Sequence, residues 1–153
     1  MKRSTLASCF VLLASQLAGG SPAHADELLD ACDYVARQVS TFEGGLYRQV
    51  PDTFEDEGKI YRGCLVTVVG DRGRVPDGFP PAEAPYPKDG ATGASALWRA
   101  DRQADGPDGT SYRIMRGEVF CLVSGMWDGG DPTEASVVPS PLFLITARCA
   151  RTQ

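Results

Sequence analysis

Early in the chain, apolar residues recur at spacings of three and four: Leu28, Leu29, Cys32, Val35, Ala36, Val39 and Phe42. That period lays an apolar stripe along one face of a helix. Asp26 and Glu27 stand where the helix dipole favours acids, and Gly44-Gly45 supplies a stop. Cys32 lies on the stripe and is expected to face the core.

Beyond the glycines the pattern turns to β. Ile60 to Val69 (IYRGCLVTVV) is short and rich in β-branched residues, and reads as a strand. Ser95 to Gln103, centred on Leu97 and Trp98, is a weaker candidate. Asp105-Gly106-Pro107-Asp108-Gly109 reads as a turn from its residue types. Within Ser111 to Met126, Tyr112 and Ile114 share one parity, whereas Val119, Cys121 and Val123 share the other. A β-bulge at Gly117 is the preferred way to reconcile the two sets, with a tight turn at Arg116-Gly117 as the alternative. A last strand, Leu142 to Ala150, puts Phe143, Ile145, Ala147 and Cys149 on one face. These elements predict an α+β domain, an N-terminal amphipathic helix packed on an antiparallel sheet of about four strands.

Two irregular stretches remain. The segment 71–92 carries five prolines and three glycines, so it is neither a helix nor a central strand. A loop of this length in a small domain is either functional or mobile. The other, Asp128 to Pro141, is a turn-rich connection that opens WDGGDP.

The first 25 residues have the make-up of a cleaved secretory signal. Lys2 and Arg3 precede an apolar run, and Ala23-His24-Ala25 supplies small residues at the −3 and −1 positions. Cleavage there leaves one domain, 26–153, with Cys32, Cys64, Cys121 and Cys149 and no histidine. The expected location is periplasmic or secreted, where disulfides persist. If the last two strands pair about the 128–141 connection, Cys121 and Cys149 fall near-opposite, which leaves Cys32 to join Cys64. Each bridge closes a loop of about 30 residues, worth about 3.6 kcal/mol in the chain-entropy model. Wide spacings without close pairs argue against a four-thiolate zinc site, and no Cys-x-x-Cys supports a redox centre.

Charge narrows the partners. Removing Lys2 and Arg3 from the 15 basic residues leaves 13 against 20 acidic ones, a net charge of −7. Such a chain repels nucleic acid and anionic membranes, and no apolar run past the leader reaches the length of a membrane span. Without histidine, serine–histidine and cysteine–histidine catalysis and histidine-held metals are excluded, and no phosphate-binding glycine motif occurs. No catalytic residue, metal or cofactor is assigned.

Carboxylates are what remains. Asp105 with Asp108 and Asp128 with Asp131 lie beside glycine and proline, where aspartate caps turns, and Glu55-Asp56-Glu57 reads as a solvated bend. Aromatic residues on the irregular segments point instead to recognition. Phe79, Tyr86, Trp127 and Asp128 are the candidate contacts. Trp98 reads as core more readily than Trp127 does. The expected function is a non-enzymatic exported module that binds a protein or envelope component through its loops. The alternatives are an inhibitor of a secreted basic hydrolase, a structural subunit of an envelope assembly and a carboxylate-based envelope hydrolase. One helix on a curved antiparallel sheet is also the arrangement of cystatin-like binding proteins, a likeness of architecture that implies no activity.

Overall fold

A computed structural model describes residues 22–40, 45–75, 81–106, 109–127, 138 and 141–152. Helix α1 (Pro22–Val39) is followed by six strands: β1 (Leu46–Asp56), β2 (Lys59–Asp71), β3 (Arg99–Gly106), β4 (Gly109–Arg116), β5 (Val119–Trp127) and β6 (Leu142–Arg151). They form one antiparallel sheet in the order β1-β2-β6-β5-β4-β3. The α+β expectation holds, but the sheet has six strands rather than about four. No helix among the described residues is long and apolar enough to cross a membrane.

The two unforeseen features of the sheet share a physical cause. Both β1 and β3 are edge strands, so they bury little and show no apolar alternation. Every residue of β3 is exposed, and β1 holds Pro51, which an edge tolerates because its missing N–H costs no ladder bond. The stretch centred on Leu97 and Trp98 does not start a strand. Gly93–Leu97 is a 3-10 turn with Leu97 exposed, and pairing begins at Arg99. Between β4 and β5 the tight turn replaces the bulge: Arg116 pairs with Val119 across Gly117-Glu118, and Gly117 has φ 57°. The parity change therefore marks two strands, not one bent strand.

One face of the sheet carries the main core. Val66 and Val68 on β2, Ile114 on β4, Val123 on β5 and Phe143 and Ile145 on β6 meet Val35, Ala36 and Val39 of α1. Leu29, placed on the stripe by its spacing, is exposed. Phe42 and Gly44 lie outside the described residues. Both expected bridges form. Cys32–Cys64 ties α1 to β2, and Cys121–Cys149 joins directly opposed residues of β5 and β6.

The chain after β2 crosses this same face to reach β3 at the far edge. It does so through 3-10 turns at Arg72–Arg74 and Pro81–Glu83, which place Val75, Ala82 and Trp98 in the main core. A methyl on Gly125 of β5 would lie 2.4 Å from Ala82 Cβ, so the crossing depends on glycine there. Tyr112 Oη donates to the Ala82 carbonyl at 2.5 Å.

The opposite face is concave. Strands β1 and β3 stand at opposite edges and would be about 24 Å apart in a flat sheet. Yet Asp56, at the tip of the β1–β2 hairpin, lies 2.6 Å from Arg102 of β3. The sheet curls until its edges meet. At that closed end Phe54, Tyr61, Phe120 and Ala150 form a second, smaller core. Gly63 permits the curl, because a Cβ there would sit 1.8 Å from the Cys149 carbonyl oxygen of β6.

Candidate functional site

The crossing segment builds an open concavity. Its prolines stiffen it, and short backbone bonds fold it: Tyr86 N–H to Glu83 O (3.0 Å), Ala91 N–H to Lys88 O (3.1 Å) and Trp98 N–H to Ser95 O (3.2 Å). Between residues 86–91 and 95–100 lies an open cleft of about 770 Å³. Tyr86 and Trp98 contribute its aromatic surface, and Lys88, Asp89 and Arg99 supply charge.

Trp98 is held from two sides. It stacks on Tyr34 of α1 at 5.2 Å, and the Arg116 guanidinium lies 5.1 Å from its ring centre. Its indole N–H is buried and has no acceptor among the described residues. An unmet donor of this kind costs about 1–3 kcal/mol, which the stacking must offset. Burial raises the Tyr34 phenol pKa, more than the Ser95 hydrogen bond and nearby Arg116 lower it. Burial also pushes the Tyr112 phenol far above its usual value, so it stays a neutral donor to Ala82.

Of the four candidate contacts, Phe79 and Asp128 lie outside the described residues. Tyr86 lines the cleft, half-buried, with its ring edge-on to Tyr112 at 5.2 Å. Trp127 ends β5, half-buried against the main core and beside Gly125. The two are on the same side of the sheet, and the lining of the cleft includes Tyr86 but not Trp127.

At the closed end of the concave face, Arg113 is buried with its guanidinium 4.4 Å from the Phe120 ring centre. Asp56 (3.4 Å), Glu57 (3.6 Å) and Asp101 (3.3 Å) surround it, and Arg102 pairs with both Asp56 and Glu57. Asp56 and Glu57 of the acidic run thus form an ionic latch across the sheet, while Glu55 stays exposed. Glu57 has φ 51° and Gly58 φ 75°, the left-handed pair of a two-residue hairpin turn. A non-glycine residue held there is strained, and its carboxylate is bound on the far edge. Asp105 plays the turn role, accepting from Gln103 Nε2 and Thr110 Oγ1; Asp108 and Asp131 lie outside the described residues.

The latch and a second groove beside it were invisible in sequence, since arginine, serine and acid residues scattered over five strands carry no local motif. That groove occupies about 390 Å³ of the concave face, between Arg102 and Arg148. The sulfur atoms of Cys32, Cys64 and Cys149 lie within 4.8 Å of one another, a ligand-like spacing. Both bridges engage these sulfurs, and a disulfide offers no thiolate for a metal.

Comparison of the chain with known protein families, with curated proteins and with solved structures gives no match.

Proposed function

We propose that this protein is a non-enzymatic binding module of an oxidising, exported compartment, and that it holds a protein or envelope component in the cleft beside Tyr86. The observation that carries the reading is the cleft itself: an open concavity with aromatic and charged lining, under a proline-stiffened segment. A pre-ordered loop loses little entropy on docking, and aromatic residues give large contact area at low entropic cost. Two bridges and the main core hold the scaffold beneath it rigid. Trp127, on the same side of the sheet, extends the proposed contact surface. The carboxylates that converge, Asp56, Glu57 and Asp101, are engaged by arginine, which favours binding over carboxylate-based hydrolysis.

The test is capture of partners from the native extracytoplasmic fraction by the oxidised, tagged mature protein and by its Tyr86→Ala and Lys88→Glu variants. One partner held by the parent and lost by Tyr86→Ala, at an unchanged thermal midpoint, supports the cleft. Equal capture by all three proteins overturns it. Loss of a basic hydrolase at high salt would select the inhibitor form of the reading, because the acidic chain attracts a basic partner.

A further inference from the structure

The groove on the concave face has a chemistry of its own. Strand register sets Ser111 opposite Ser124, Ser124 opposite Thr146 and Thr146 opposite Thr67, a row of hydroxyls across four strands. Two residues along, Leu122 pairs with Arg148. Residues two apart on a strand share a face, so Arg148 stands beside Thr146 and Leu122 beside Ser124. The groove is lined by Arg102, Arg148, Leu122 and three of these hydroxyls, and no carboxylate side chain among the described residues lines it.

The two arginines differ. Arg102 is spent, with Nη1 on Glu57 at 2.7 Å and Nη2 on Asp56 at 2.6 Å. Arg148 meets Asp52 through Nε at 3.1 Å, and its side chain is 46% exposed. Asp52 is the one ion-pair partner given for Arg148 among the described residues, and the Nη groups form the planar fork that receives a carboxylate or phosphate. Hydroxyl side chains beside that fork can both donate to and accept from a polyol, and Leu122 offers an apolar patch for the C–H face of a ring. The volume suits a molecule of one or two sugar units.

We propose that this groove binds a small hydroxylated anion of sugar-acid size, its charged group on Arg148 and its hydroxyls on Ser111, Ser124 and Thr146. The site lies on the face opposite the Tyr86 cleft and stands independently of it.

The experiment is calorimetric and NMR titration of the oxidised mature protein with glucuronate, glucose 6-phosphate and glucose. Saturable binding of at least one anion is expected, weakening with salt and falling at least tenfold in Arg148→Gln. The preferred anion tells whether a carboxylate or a phosphate is the natural group. Asp52→Asn releases Nε of Arg148 and is expected to tighten binding severalfold, which keeps the test decisive if Arg148→Gln folds poorly. Tyr86→Ala is expected to leave the anion titration unchanged, so failure of the cleft and failure of the groove are separable. Absence of saturable binding by both anions, glucose binding as tightly as they do, or anion binding unaffected by both Arg148→Gln and Asp52→Asn would each overturn the proposal.

Discussion

The two faces of the sheet are made by alternate residues of the same strands, and they reach order by different means. On the helix side, α1 and the crossing segment cover a continuous apolar layer, and both bridges lie within it. On the concave side no layer is added. A small aromatic cluster is closed by the sheet's own curl, with carboxylates of the hairpin tip reaching arginines on the far strands. The first arrangement covers the middle of the sheet and leaves its cleft at the β3 edge; the second leaves an open groove next to a closed aromatic end. A domain of this size can thus stake its stability on a covered face and leave the other open.

The sharpest way to break the contrast is at Gly63, where curl and main core meet. Gly63→Val drives a side chain into the β6 backbone, and a loss above about 4 kcal/mol is expected, read as a collapse of the urea midpoint. Next comes the tether on the helix side. Replacing Cys32 and Cys64 together by serine is expected to cost about 3.6 kcal/mol, while the concave groove keeps its NMR shifts. The matching cut on the concave side is Asp56→Ala, which leaves Arg113 buried with its network weakened. A loss of about 3 kcal/mol is expected, and shifts should move around Phe120 rather than around Val35. If either variant perturbs both faces alike, the two-part description fails.

The smallest effect is a slope with pH. The folded Tyr112 phenol is raised by burial, while the unfolded chain ionises near the ordinary tyrosine value. Above about pH 10 the unfolded state therefore binds fewer protons than the native one, and stability falls by about 1.4 kcal/mol per pH unit for this group. Below that pH its contribution is intact. Tyr112→Phe is expected to flatten the alkaline slope while losing the bond to Ala82, and urea midpoints from pH 8 to 11 read both.

What the sequence reveals follows the same division. Helix α1, β2, β6 and both bridges were legible because each puts an apolar stripe or a cysteine on the covered face. Pairing about the 128–141 connection carried Cys121 to a place opposite Cys149. Strands β1 and β3 were not legible, since an edge strand buries too little to show a period, as the exposed RADRQADG of β3 illustrates. Of the loop cleft, Tyr86 was found through the prolines around it. The groove was missed because Arg148, Ser124 and Ser111 are ordinary surface residues until cross-strand register sets them side by side.

The cysteine row has a consequence in time. Cys149 faces Cys121 on one neighbouring strand and Cys64 on the other, so spatial closeness alone would permit a wrong partner. The bridges, however, join cysteines that are neighbours in chain order, Cys32 with Cys64 and Cys121 with Cys149. A polypeptide threaded N-terminus first into an oxidising space exposes Cys32 and Cys64 to the oxidant before Cys149 arrives. In such a passage the competing neighbour would already be capped, and the order of emergence would favour the native linkage.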